Sequence, residues 1–233
     1  MKAKASETFL FPVRVYKSPF HFHQEVIEQN LDHLQKCFDE AFSKNSNMVH
    51  ALEAGPANSS CSLIDAETFL SSETYKEWHL LREPEYKTLR DGILYHAKEY
   101  IQGLPNYWKA QFPLLKAIWA NIHKKNGITL THSHESDQVH IAGVYYLKKP
   151  ENSGHLIVSN PLSTLNGYLM KDFIGWPDLV PNTKIKSNEG GVVLFPSWLE
   201  HSTEPNKSDK DRICISFNIQ ILPVPLNVED FKE

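Results

Sequence analysis

From Arg212 onward the chain alternates without a break. Arg212, Cys214, Ser216, Asn218 and Gln220 fall on one side of an extended segment, and Ile213, Ile215, Phe217, Ile219 and Ile221 on the other. Successive strand side chains point to opposite faces, so this period of two predicts a β-strand with its apolar face against protein. The polar face then looks into a cavity or into solvent. Upstream, Gly191 to Phe195 predicts a strand that stops at Pro196, turns through Ser197 and Trp198 and delivers His201. A polar Pro-Asn-Lys-Ser-Asp loop leads on to Arg212. Two antiparallel strands joined in this way would hold the His201 imidazole and the Arg212 guanidinium in one cavity. Between Gly127 and Lys149, GITLTHSHESDQVHIAGVYYLKK is again rich in β-formers and includes a VYYL strand.

The first hundred residues follow a different period. Phe9 to Tyr16 reads as an opening strand and Pro19 as a turn before a helix from His23 to Lys44, on which Ile27, Leu31, Leu34, Phe38 and Phe42 keep helical spacing. Residues 45–62 are polar, contain AGPANSSCS and predict a loop. Thr74 to Gln102 predicts a second helical region with a break near Pro84, carrying Leu89, Ile93, Ala97 and Ile101 on one face. Ser163 to Asn188 predicts a long irregular loop. Its Tyr168, Phe173 and Trp176 suit either closure over a ligand or simple anchoring. The expected architecture is mainly β with flanking helices (α+β): one domain over 1–233, with supporting helices in 1–104 and a β core over 105–225.

Composition narrows the class of chemistry. A chain of 233 residues can bury a sizeable single core. Its net charge of −4 has no basic stripe, so no nucleic-acid partner is expected. Cys37, Cys61 and Cys214 are few, far apart and odd in number, which suits reduced thiols and a cytoplasmic setting. Met1 to Thr8 is polar and FLFPVRVY is too short for a signal or spanning segment, so no membrane partner is expected. There is no nucleophile elbow, no glycine-rich phosphate loop and no CxxC pair.

What remains is metal chemistry. His132 and His134 stand two residues apart, which places both imidazoles on one side of an extended chain. Imidazole suits iron, zinc, copper and nickel alike. A buried guanidinium opening a strand of neutral polar residues needs an anion, so Arg212 either meets an acidic ligand or pairs structurally with Glu200 or Glu204. Trp119, Asn121 and Asn218 are equally readable as ligand contacts or structural residues, and Cys214 as a pocket or buried thiol.

In this order, HSH, AGVYYL, FPSWLEH and RICISFN resemble the HxH, SGVYYL, FPSWLxH and RxxxSFN motifs of a group of oxygenases from bacteria and marine phages. That group lies within the iron(II)- and 2-oxoglutarate-dependent oxygenases. The resemblance spans roughly Trp119 to Ile221 and implies a double-stranded β-helix, or jelly roll, with iron(II) as metal and 2-oxoglutarate as co-substrate. By it, His132 and His201 are metal ligands, and Arg212 binds the distal carboxylate of 2-oxoglutarate as a planar fork. Tyr146, or its neighbour Tyr145, supplies a phenol to that carboxylate, and Ser216 a further contact. The implied activity couples decarboxylation of 2-oxoglutarate to oxidation by O₂ of a small-molecule or peptide substrate. A cupin-like binding module without catalysis is the alternative, since a fold does not imply activity. Most of the superfamily has a carboxylate where His134 stands. Either His134 is the third ligand, or Glu135 or Asp137 supplies a carboxylate; Glu135 would face the opposite side of a continuous strand.

Overall fold

A computed structural model describes residues 13–44, 53–59, 84–103, 111–135, 138–161 and 182–223. Its strands are β1 (Tyr16–Pro19), β2 (Glu53–Ala54), β3 (Ala57–Ser59), β4 (Gln111–His123), β5 (Ile128–Thr129), β6 (Ile141–Lys148), β7 (Leu156–Ser159), β8 (Asn182–Ile185), β9 (Gly191–Pro196), β10 (His201–Thr203) and β11 (Arg212–Pro223). The helices are α1 (His23–Lys44) and α2 (Lys87–Gln102), the latter entered through a 3-10 turn at Pro84–Tyr86. A six-stranded sheet runs β1-β9-β6-β11-β4-β3, and a three-stranded sheet runs β10-β7-β8. Every pairing is antiparallel. Two facing antiparallel sheets with helices outside are the expected jelly roll.

The alternation in β11 sorts its residues as predicted. Ile213, Ile215, Phe217 and Ile219 pack on the back of the large sheet with Leu34 and Phe38 of α1 and Ile93 and Ala97 of α2. Cys214 faces forward into a second cluster with Val144 and Tyr146 of β6, Phe195 of β9 and Leu156 and Val158 of the small sheet. The same rule separates the two tyrosines of β6. Tyr145 points back, stacked on Phe20 at 4.0 Å and bonded to His23 Nδ1 at 2.6 Å. Tyr146 points forward, so it is the phenol on the cavity side. Because helices cover one face of β6 and the small sheet the other, seven of its eight residues are buried and AGVYYL reads as an unbroken apolar run.

Several expectations need correction. β9 and β11 do not form a hairpin, since β6 lies between them and His201 opens a strand of the other sheet. The opening strand sits at Tyr16–Pro19 rather than Phe9 to Tyr16, of which Phe9 to Pro12 lie outside the described residues. The stretch expected to be a loop at 45–62 contains β2 and β3, which pair with β5 and β4. The loop expected over Ser163 to Asn188 contains β8, and Tyr168, Phe173 and Trp176 lie outside the described residues. Helix α1 has the predicted bounds, but Val26, Asn30, Leu34 and Phe38 form its buried stripe while Ile27 and Leu31 flank it; the side chain of Phe42 lies outside the described residues. No described helix is long and apolar enough to cross a membrane.

Gly143 marks the tightest point between sheet and core. A Cβ there would overlap the Phe217 ring and stand 3.1 Å from the Val193 carbonyl oxygen. Phe217 is fully buried, so it cannot swing into solvent. Overpacking of this kind costs about 1–3 kcal/mol. Gly143→Ala should therefore lower the thermal midpoint by roughly 5 °C for a chain of this size, read by calorimetry.

Candidate metal centre

Three histidines meet where the two sheets converge. The segment carrying His132 joins β10 through reciprocal backbone bonds, His132 N to His201 O at 3.0 Å and His201 N to His132 O at 2.9 Å. His134 N donates to the Ser197 carbonyl at 2.9 Å. These bonds set the three rings side by side, with centroid separations of 4.3, 4.9 and 5.2 Å. One ring nitrogen from each lies within 4.8 Å of the others. Phe195 covers the His201 ring at 4.7 Å, and Trp119 lies 5.7 Å from that of His134.

Second contacts choose which nitrogen each ring offers. His132 Nδ1 faces the Leu130 carbonyl at 2.8 Å and His201 Nδ1 the Leu199 carbonyl at 2.9 Å. A carbonyl only accepts, so each Nδ1 carries the proton and each Nε2 keeps its lone pair for a metal. Burial, reinforced by His132, lowers the His134 pKa to about 4 and the His201 pKa to about 3. Both are therefore neutral at pH 7. Three clustered imidazoles, those of His134 and His201 neutral, fit a divalent first-row metal such as iron(II). Glu135 is exposed and outside the cluster, and Asp137 lies outside the described residues.

The histidines open onto a cavity of about 310 Å³. Its walls include Tyr146, Cys214 and Ser216 on the large sheet and Thr203 on the small one. Burial first, then Cys214, pushes the Tyr146 phenol above its ordinary pKa, against weaker opposite effects of Arg212 and the Leu156 backbone. The phenol thus remains a proton donor at neutral pH. Ser216 Oγ accepts from Asn121 Nδ2 at 3.2 Å. The Asn121 carbonyl oxygen is buried without a partner among the described residues.

Arg212 stands behind this wall, fully buried. Nη1 donates to the Ser153 carbonyl and to the Glu204 carbonyl, the latter at 3.2 Å. Nη2 donates to Thr203 Oγ1 at 3.0 Å, and Nε to His123 Nδ1 at 3.4 Å. Four of the five guanidinium N–H groups therefore have protein acceptors, and one on Nη2 remains among the described residues. That corrects the expected fork: as the side chain sits, it has one N–H to offer a ligand, not two. No described carboxylate neutralises it. The Glu204 carboxylate pairs with Lys184 at 2.6 Å, and Glu200 is exposed.

His123, Thr129 and Thr203 were not picked out from the sequence. His123 Nε2 and Thr129 Oγ1 lie 2.9 Å apart, and Thr129 N donates to Thr203 Oγ1 at 2.9 Å, so the three tie Arg212 to the cavity wall. The signal for His123 was present in β4, where Trp119, Asn121 and His123 alternate with the buried Ile118, Ala120 and Ile122. Thr129 and Thr203 had none, because they meet only through the tertiary fold.

Residues 117–218 match the family model described as "Putative 2OG-Fe(II) oxygenase". No curated protein sequence matches the chain. Among solved structures, AviO1 from Streptomyces viridochromogenes Tue57 is similar with a TM-score of 0.55 and 13% identity, covering 91% of this chain and 93% of its own. A Pseudomonas putida prolyl-4-hydroxylase gives 0.53 and 11%, covering 89% and 93%. HygX from Streptomyces hygroscopicus, solved with nickel and 2-oxoglutarate bound, gives 0.50 and 11%, covering 89% and 83%. At such identities the solved structures establish a shared fold. Over residues 117–218, the stretch that carries all three clustered histidines and the buried arginine, the chain is similar to the 2OG-Fe(II) oxygenase family.

Proposed function

We propose that the protein is an iron(II)- and 2-oxoglutarate-dependent dioxygenase. The balanced reaction takes 2-oxoglutarate, O₂ and a substrate C–H bond to succinate, CO₂ and a C–OH group, or uses the same oxidising equivalents in a related oxidation. Iron(II) with the keto acid bound would supply the oxygen chemistry. His132, His134 and His201 would hold the metal through their Nε2 atoms. Arg212, with Tyr146 and Ser216, would bind the distal carboxylate. The observation that carries this assignment is the combination of three clustered imidazoles with a buried arginine that has no acidic partner among the described residues.

The protein's own contribution is binding, orientation and exclusion of water. Phe195 and Trp119 shield the imidazoles, and Tyr146 offers a phenol proton that burial keeps in place. With His134 as third ligand the site adds no negative charge to the metal, one unit fewer than in a site with a carboxylate. Residues 1–233 are taken as one unit, with α1 and α2 as its support. The substrate is a small molecule or peptide, met together with O₂. Cys37, Cys61 and Cys214 are few, far apart and odd in number, in keeping with a cytoplasmic, reducing setting that also preserves iron(II).

Anaerobic titration with iron(II) and 2-oxoglutarate tests the proposal. A weak visible charge-transfer band should need both components, and admission of O₂ should release succinate and CO₂. Absence of the band would overturn it. A band with no turnover of the keto acid would favour the binding module instead.

A further inference from the structure

We infer that Asn218 is a positioning residue: its side-chain amide oxygen accepts the Nδ1–H of His134 and so turns Nε2 of that ring toward the metal. The inference rests on His134 being a metal ligand. His132 and His201 each have their tautomer set by a backbone carbonyl two residues earlier, that of Leu130 and of Leu199. His134 shows no such contact among the described residues. The carbonyl two residues before it belongs to His132 and already accepts the His201 N–H at 2.9 Å.

Among the described residues, the one hydrogen-bond partner of the His134 ring is the Asn218 amide, whose Nδ2 lies 3.5 Å from Nδ1. In that orientation the Asn218 carbonyl oxygen is buried and has no partner among the described residues. Amide nitrogen and oxygen have nearly the same shape, and their assignment follows from the hydrogen bonds they can make. Turning the amide by 180° places an acceptor against Nδ1–H and gives the oxygen a partner, with Nδ2 taking the oxygen's former place. The backbone makes room for this. Asn218 has Ala117 and Ala142 as its register partners on the two neighbouring strands, so no bulky side chain lies beside it. The register of β11 against β4 slips between Asn218 and Ile219, and such irregularities re-aim side chains next to functional sites. A neutral amide also keeps the site free of added negative charge, in line with a cluster that holds no carboxylate.

The test is binding of cobalt(II), followed by its visible absorption, without O₂ or keto acid. Asn218→Leu removes the acceptor and should weaken cobalt binding about 10- to 100-fold, the usual effect of losing an outer partner of a ligating histidine. Asn218→Asp keeps an acceptor in place and should bind cobalt at least as tightly as the wild type. In a His134→Ala background Asn218→Leu should have no further effect, because coupling vanishes when one partner is gone. Asn218→Ala replaces the leucine variant if that does not fold, as circular dichroism of the metal-free forms will show. Wild-type affinity in the leucine or alanine variant overturns the inference, as does equal weakness of the aspartate variant or an undiminished loss in the His134→Ala background. Wild-type affinity of His134→Ala itself would instead overturn the ligand assignment beneath it.

Discussion

His201→Ala should yield a folded chain with iron(II) binding and keto-acid turnover both lost. His201 is 7% exposed, and its reciprocal backbone bonds with His132 do not depend on its side chain, so the jelly roll survives the substitution. What disappears is the imidazole that completes the cluster. Loss of even an outer partner of a ligating histidine costs 10- to 100-fold in metal affinity, so loss of the ligand itself should cost on the order of 100-fold or more. Metal at a hundred times its dissociation constant stabilises the wild type by about 2.7 kcal/mol. That increment should vanish in the variant, while the metal-free melting points of the two proteins stay close. Acid should act in the same direction. His134 and His201 titrate lower in the fold, at about 4 and about 3, than an ordinary imidazole at about 6.5. The unfolded chain therefore takes up protons first, and stability present above pH 6.5 is lost as pH falls toward 4. A variant that keeps the full metal-dependent rise in melting temperature would sink the assignment of His201.

The parts of this fold that were legible in the sequence are those governed by local period. The alternation of β11 separated its core residues from its cavity residues, and the spacing of His23 to Lys44 set both ends of α1. His132 and His134 were legible because a strand-like segment puts i and i+2 on one side. Partnership between strands was not legible. β9 and β11 lie close in sequence, yet β6 intervenes between them, because the chain crosses from one sheet to the other at His201. No local pattern records that crossing. For the same reason the sequence suggested a free fork at Arg212: the Ser153 and Glu204 carbonyls that take Nη1 come from loops that only the fold brings together. Polar stretches were also misread as loops. Glu53–Ala54 and Ala57–Ser59 are short and hydrophilic, and they are strands only because β4 and β5 offer edges to pair with.

Arg212→Lys should weaken 2-oxoglutarate binding about 10- to 100-fold and leave metal affinity within about twofold of the wild type. The guanidinium is fully buried, its charge has no described acidic partner, and four of its N–H groups are tied to Ser153, Glu204, Thr203 and His123. These contacts satisfy its hydrogen bonds but leave its charge uncompensated in a low-dielectric interior, which is costly until an anion arrives. Lysine keeps the charge. It cannot span four acceptors and still present a donor to the cavity, because an ammonium has three N–H groups and no planar geometry. A charge-assisted hydrogen bond contributes about 1.5–3 kcal/mol, which gives the expected range. Arg212→Met goes further, leaving buried acceptors unpaired at about 1–3 kcal/mol each, and should lower stability as well as affinity. Pyruvate separates a ligand contact from a structural role, because it has the keto acid end of 2-oxoglutarate and lacks the distal carboxylate. Titration calorimetry under anaerobic conditions should find that Arg212→Lys weakens 2-oxoglutarate but not pyruvate, so that the two losses differ by the coupling between arginine and carboxylate. Equal losses for both acids would mean that Arg212 shapes the wall without touching the co-substrate, and its assignment would fall even with the three-histidine site intact.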